Sequence, residues 1–472
     1  MSCERFDVIL AGNYLTTLVA AGGIARSGRR VCVVNPVPSW GGHFTKLTVA
    51  GMVFDPGAVS HEFTTFNDEG ARDALSYDSR RRSDVGRFIG LIEEFTRSQI
   101  ELVRMQEPQT VYGGELFPDI VMSNRFDVLH HPILAGRVRA EQELLSLSMG
   151  TELHPRHKKT SHLFLERSYY EASVLNHGAT LHAAVFEPMF YKMSAVSTTR
   201  LIALYHRIAW LPLYYPETLR SQFGDAPQQL QDTYFCYPRA GYIGAFGEAL
   251  VRRMQEAGVT IVRETIASLE GNPGKSAIVL EGGRRLEARQ VVWSLAHDQL
   301  IAAAMGGSPN KLERWSATLV FATIARRQLA KTFSVLYVPD DRILFYRASN
   351  QTDSAELEED PVRIVIEINP DYARSQDLGD EDRMASRVRA DLASLGIVED
   401  PQYVQVVGTR TLRNVLLLPS RENWQLLERE RDVLLERYPG VVFTRNVEAF
   451  FTDTLNDQII KGLKLVEQFK SD

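Results

Sequence analysis

A turn able to cradle a phosphate runs from Ala11 to Thr17, and its residue types disagree with its position. Strand-like Asp7-Val-Ile-Leu-Ala11 passes through Gly12-Asn13-Tyr14 into helix-like Leu15-Thr-Thr-Leu18. A βαβ dinucleotide site uses three glycines there: one for the tight turn, one so that pyrophosphate meets bare backbone, and one for close helix–strand contact. Gly12 holds the first position, but Tyr14 and Thr17 hold the other two. The acidic residue that grips a ribose about 20 residues further on falls at Asn35, after Val31-Cys-Val-Val34. A tyrosine adds about 150 Å² or more of side chain where a phosphate should touch an amide. It must swing out or take the seat. Asn35 still donates and accepts, yet loses a charge-assisted bond worth about 1 kcal/mol or more, while Thr17 is tolerable with a small shift.

Other residues could do chemistry. His43 follows Gly41-Gly42 and titrates near neutral pH, so it could face a ring or a substrate, although a lone histidine is more often structural. His206, Arg207, Trp210, Tyr214 and Tyr215 lie within a dozen residues, a mix that can stack on a flat ligand and hold an anion. His154, His157 and His162, with Glu152, match neither a helical zinc pair nor a finger. Arg156, Lys158 and Lys159 would repel a cation, so a polar loop and no metal are expected. Arg80-Arg-Arg82 reads as a solvated face.

The elements that must position these residues form a discontinuous pattern. The 472 residues suggest two or three domains. A 44% hydrophobic and 24% charged composition with net charge -6 gives no case for nucleic-acid binding. Three scattered cysteines exclude a disulfide framework. A strand begins by residue 6 between Glu4 and Asp7, and no apolar run approaches a membrane span, so a cytoplasmic chain without signal peptide or transmembrane segment is expected. Continuous apolar runs at 6–11, 31–35, 259–262, 291–294 and 440–443, with helices at 16–27, 242–256 and 456–469, predict a parallel sheet covered on both faces. Residues 67–233 read as helical, including 85–102 with Phe88, Leu91, Ile92 and Phe95 on one face. Residues 319–407 read as alternating strands, and 351–360 as a solvated acidic loop.

Four segments carry a resemblance. Asn35-Pro-Val-Pro-Ser-Trp-Gly-Gly-His-Phe-Thr45, Gly51-Met-Val-Phe-Asp-Pro-Gly-Ala58, Tyr237-Pro-Arg-Ala-Gly-Tyr-Ile-Gly-Ala-Phe246 and Phe450-Phe-Thr-Asp-Thr-Leu-Asn-Asp-Gln-Ile-Ile-Lys-Gly462 keep the order and spacing of the flavin amine oxidase superfamily. The chain resembles its protoporphyrinogen oxidase, phytoene desaturase and UDP-galactopyranose mutase-like branches. The fold implied is α/β: a discontinuous Rossmann-like FAD/NAD(P)-binding domain (1–66, 234–315 and 408–472), and an α+β substrate domain with an antiparallel sheet (67–233 and 316–407).

The resemblance also implies roles. Gly12, with Asn13 and Tyr14, would lie beneath the FAD pyrophosphate, and Asn35 would face the adenosine ribose. Gly41 and Gly42 would let the chain pass close to the cofactor, and Ile266 would flank the adenine. The helix starting near Leu455 would point at the ribityl chain, with Thr444-Arg445 at a turn where the family has glycine before a charged residue. Tyr214, Tyr215, Arg239 and Arg347 would line the substrate cleft, with His43, Arg207 and Tyr346 as catalytic candidates. Two functions stay open. One is a flavin-dependent oxidoreductase, or mutase-like flavoenzyme, acting on a small molecule between the domains. The other is a flavin-free cofactor-independent enzyme or noncatalytic binding protein, with a homo-oligomer or protein partner as a further expectation. The Rab-escort and GDP-dissociation-inhibitor branch took that second route.

Overall fold

The computed structural model describes residues 3–66, 89–122, 125–145, 152–155, 161–205, 213–225, 231–272, 275–307, 311–444 and 454–471. Its first sheet grows from two apolar strands near the start of the chain. Cys3–Ala11 pairs in parallel with Val31–Val34 on one side and with Arg285–Trp293 on the other, and Thr260–Val262 extends the row beyond Val31–Val34. The far edge of Arg285–Trp293 is shared. Its first half pairs antiparallel with Lys275–Leu280, which pairs with Ile266–Asn272, and its last residues pair in parallel with Val441–Phe443.

Alternation along these strands decides which helix covers which face. Val8, Leu10, Val31 and Val33 pack with the helices Leu15–Arg26, Gly244–Glu256 and Leu455–Ser471. Ile9, Ala11, Cys32 and Val34 pack with residues of His297–Met305 and with Leu434 of Arg421–Arg437. A sheet buried on both sides must be written in unbroken apolar residues, which is why these runs were legible.

The first and last helices meet almost backbone to backbone. A methyl group on Gly462 would lie 2.6 Å from Val19 Cβ and 3.0 Å from the Thr16 carbonyl oxygen. Neither neighbour is the end of a flexible side chain. Gly462→Ala is therefore expected to lower unfolding free energy by about 1–3 kcal/mol, outweighing alanine's better helix propensity. Denaturant unfolding measures it, and a neutral result would show that the helices can part at no cost.

The second sheet runs Val404–Leu417, Arg314–Ile324, Val362–Ile368, Arg347–Asn350, Val335–Tyr337, Gln109–Tyr112 and Glu115–Pro118. It is antiparallel except where Val335–Tyr337 meets Gln109–Tyr112. One face is closed by Pro370–Ser375 and Glu381–Ser394. A small sheet joins His61–Phe66 and Gln231–Pro238, at the two ends of the stretch read as helical, with Leu102–Arg104 from inside that stretch. The fold is thus mixed α/β with parallel and antiparallel sheets.

Several expectations need correction. Boundaries at 316 and 408 fall inside strands Arg314–Ile324 and Val404–Leu417, which pair along almost their whole length. The stretch read as helical also supplies the hairpin Gln109–Tyr112 and Glu115–Pro118, whose first strand pairs with Val335–Tyr337 more than 200 residues away, as Leu336 opposite Gln109 shows. Residues 351–360 do not all face water. Gln351, Thr352, Ser354 and Ala355 are buried because Gln351–Ser354 forms a helical turn, capped by Asn350, against Val362–Ile368. In the helix Ile89–Arg97, Ile92 is buried but Leu91 is exposed. Phe88 lies outside the described residues.

Candidate functional site

The start of a helix leaves four amides without intrahelical acceptors and carries the positive end of the helix dipole, so it favours an anion or a polar cap. At Leu15–Arg26 the cap position is Tyr14, whose side chain makes no capping bond. The Leu15 amide instead donates to Gln458 Oε1 at 3.0 Å, and Thr16 Oγ1 donates to the Gln458 carbonyl at 3.1 Å. Gln458 is fully buried.

The Tyr14 ring has swung onto Gly42. A methyl group there would lie 2.3 Å from two ring carbons, and Gly42 has φ +63°. The loop is tied to the turn as well: the Gly41 amide donates to the Asn13 carbonyl at 2.7 Å, and Asn13 Nδ2 donates to the Ser39 carbonyl at 3.3 Å. His43 is exposed, its ring 4.0 Å from that of Phe44 and edge-on to Tyr14.

Gly12 is needed for a different reason from the one its motif supplies. A methyl group on it would strike Ser294 Oγ at 2.0 Å and Thr17 Oγ1 at 2.8 Å. Those two hydroxyls are hydrogen-bonded to each other. Thr17 therefore fills the helix–strand contact with a polar pair in place of a bare backbone.

Asn35 is fully buried and occupied on both ends of its amide. Its Nδ2 donates to the Ser39 carbonyl at 3.2 Å, and its Oδ1 accepts the Val37 amide at 3.1 Å. Arg263 donates to the Val37 carbonyl and lies 4.5 Å over the Trp40 ring, holding the same loop from outside. Thr444 donates to the Trp293 carbonyl from its amide and its hydroxyl. Leu455 is a buried residue at the head of the final helix, and Ile266 opens its strand opposite Leu280. Gly12, Asn13, Tyr14, Asn35, Gly41 and Gly42 are thus drawn together at one end of the parallel strands. Leu455 lies one turn from Gln458.

The substrate-side candidates divide. Arg347 forms a bidentate pair with Glu367, both bonds 2.7 Å, and both residues are buried. Tyr346 donates to the same carboxylate at 3.1 Å, as does the Ala58 amide at 2.7 Å. Burial opposes the Arg347 charge, but Glu367 more than offsets it and holds the guanidinium above its usual range. Arg347 is spent on Glu367, not displayed to a ligand. Burial, and then Glu367, keep Tyr346 protonated well above the usual phenol range.

Next to this pair, Asp55 accepts from the Tyr237 hydroxyl and, at 2.8 Å, from the Ile243 amide. Burial pushes its carboxyl up to about 7 against the pull of those bonds.

Tyr214 and Tyr215 are each 1% exposed, so they belong to the packed interior and do not line an open cleft. Tyr214 donates its amide to His177 Nε2 at 2.8 Å, and the Tyr215 ring lies 4.8 Å from that of His154, which pairs with Glu217. Arg239 is a surface residue paired with Glu101 at 2.6 Å. Arg207 and Arg445 lie outside the described residues, as do His206, Trp210, Arg80–Arg82, Arg156, His157, Lys158 and Lys159. Among the described residues, no cluster of three His, Cys, Asp or Glu could hold a metal, and no helix is long and apolar enough to cross a membrane.

Sequence reasoning passed over Gln458, Ser294, Asp55 and Glu367 as partners. A signal existed for one. Gln458 lies four residues before Gly462, hence on the face that Gly462 presses against the first helix.

No family model and no curated protein sequence matches the chain. Solved structures do. The reduced form of UDP-galactopyranose mutase superposes with a TM-score of 0.69 at 14% identity, over 98% of this chain and 95% of that one. Putrescine oxidase bound to putrescine gives 0.60 at 12%, over 100% and 99%. A putative protoporphyrinogen oxidase from Exiguobacterium sp. 255-15 gives 0.60 at 15%, over 100% and 99%. The chain therefore has the fold of the flavin amine oxidase superfamily, as its Gly-Gly, Phe-Asp and Tyr-Pro segments implied. That fold implies FAD, and the residues where its pyrophosphate would lie do not fit it as placed. The Leu15 amide is taken, Tyr14 covers Gly42, and Asn35 is spent on its own loop.

Proposed function

We propose that this protein uses a flavoenzyme fold without the flavin, as a small-molecule-binding protein whose ligand lies between the parallel and antiparallel sheets. The observation that carries this reading is the Tyr14 ring packed on Gly42, where a bound pyrophosphate would need bare backbone. The dinucleotide-type domain would be 1–66, 234–315 and 408–472, and the ligand side 67–233 and 316–407, with the two edges at 316 and 408 moved to whole strands. The setting would be cytoplasmic, and Arg207 and His43 stay as candidates for ligand contact.

A second reading is a flavin-dependent oxidoreductase or mutase-like enzyme. It is favoured by the fold neighbours, a mutase and two oxidases by name. When bound, a flavin would supply hydride or electron transfer, and the protein would supply orientation and electrostatics. One measurement separates the two. The purified protein is expected to show no 450 nm band and to leave the fluorescence of added FAD unquenched. An absorbance near one flavin equivalent would sink the first reading.

A further inference from the structure

The seat for an anion at the head of Leu15–Arg26 is filled from the opposite end of the chain. We propose that Gln458 is a built-in replacement for the phosphate, an internal cap that shuts the seat and clamps the first helix to the last. The proposal rests on the flavin-free reading and goes past it, since it names what took the ligand's place and what its removal would reopen.

The geometry has three parts. Gln458 Oε1 accepts the Leu15 amide at 3.0 Å, and the amide group must present its oxygen here because a backbone N–H can only donate. The Gln458 carbonyl accepts the Thr16 hydroxyl at 3.1 Å, so backbone and side chain of one residue serve two successive residues of the first turn. The side chain is 0% exposed, which leaves no room beside it for a phosphate on the same amide.

A second, independent feature puts it there. Gly462, one helical turn later, lets its helix approach within 3.0 Å of the Thr16 carbonyl oxygen as judged from a methyl placed on it, and Gly23 meets Val466 in the same way. With the two helices this close, a residue at 458 projects over the start of the first one. A small residue would leave space for a ligand, whereas glutamine spans it. Tyr14 on Gly42 closes the adjoining side. A neutral amide also suits the position, because it satisfies a buried donor without desolvating a charge.

Two consequences follow from truncation. A buried Leu15 amide loses its acceptor, and the helix head regains an open anion seat. The test is thermal unfolding of the full chain, with and without millimolar sodium pyrophosphate, for wild type, Gln458→Ala and Gln458→Glu. Gln458→Ala is expected to melt roughly 2 °C or more below wild type and to regain part of that loss with pyrophosphate, beyond any salt effect on wild type. Gln458→Glu keeps an acceptor and adds a charge that the helix dipole favours. Desolvation of the buried carboxylate offsets that gain, so the variant is judged by ligand response: it is expected to ignore pyrophosphate at neutral pH, since its own carboxylate occupies the seat.

Equal pyrophosphate responses in wild type and Gln458→Ala would overturn the proposal, as would a Gln458→Ala melt unchanged from wild type. If Gln458→Ala fails to fold, Gln458→Glu decides alone: a rise in its melting temperature with pyrophosphate beyond that of wild type would overturn the proposal, because the seat should then be filled by the carboxylate. A wild type that purifies with flavin removes the underlying reading. A colourless wild type with a silent Gln458→Ala removes only the inference.

Discussion

Glu367→Gln is expected to cost about 3–5 kcal/mol of unfolding free energy, the largest effect of any single change considered for this protein. The carboxylate takes both nitrogens of the Arg347 fork, the Tyr346 hydroxyl and the Ala58 amide, with Arg347 and Glu367 each under a tenth exposed. Glutamine keeps the shape but turns one acceptor into a donor facing the guanidinium, leaving a buried cation without its counter-charge. The Ala58 bond is the one that reaches across: it ties the turn after Phe54 to the second sheet, and a methyl on Gly57 would lie 2.9 Å from the same carboxylate. Pairing Glu367→Gln with Arg347→Met removes the stranded charge and is expected to recover a large share of the loss, so a double-mutant cycle in denaturant measures the coupling. A single-variant cost below about 1 kcal/mol would mean that the pair behaves as a surface ion pair and anchors nothing.

Asp55→Asn is expected to change how stability varies with pH. Burial raises the Asp55 carboxyl from 3.8 to about 7. For a group raised on folding, the favourable contribution is complete below the unfolded value of 3.8 and is lost as pH climbs through the folded value near 7. At neutral pH, therefore, the buried carboxyl costs stability relative to acid. His61 shifts the other way, lowered by burial and by Arg97 to about 3, so its contribution is present above 6.5 and lost as pH falls toward 3. The two oppose one another between pH 4 and 6.5, and the wild-type profile alone would hide both. The difference between wild type and Asp55→Asn isolates the carboxyl. It is expected to move in the variant's favour by on the order of 2–4 kcal/mol as pH rises from about 4 to about 7. Asparagine Oδ1 can still accept from the Ile243 amide, while its Nδ2 can only donate, so the Tyr237 hydroxyl must turn to accept from it. A pH-independent difference would show that Asp55 stays ionised throughout.

Much of the scaffold could be read from one dimension because its signals are local. Strand residues 8–11 and 31–34 are apolar without a break since helices cover both their faces. Gly258 stops a helix in the left-handed conformation that its lack of a Cβ permits. The order of the Gly-Gly, Phe-Asp and Tyr-Pro segments was enough to expect the superfamily fold, and the superpositions agree. The strands at 109–118 form a hairpin turned at Gly113-Gly114, a local signal that reading 67–233 as helical passed over, and only their place beside residues 335–337 depends on distant pairing.

The candidate site was legible as a set of odd substitutions and no further. Sequence alone determined that Tyr14, Thr17, Asn35 and Thr444 stand where a cofactor site calls for other residues, since residue type at a motif position is a one-dimensional fact. Whether each substitution leaves a gap, a strain or a new bond depends on partners that residue type does not name, 277 positions away for Thr17 and within four for Asn35. Only the tertiary structure decided that Thr17 meets Ser294, that Asn35 serves its own loop, that Leu15 donates to Gln458, and that Arg347 is held by Glu367. A hydrogen bond needs its acceptor within about 3 Å, and chain order carries no such distance until the helices and sheets have packed.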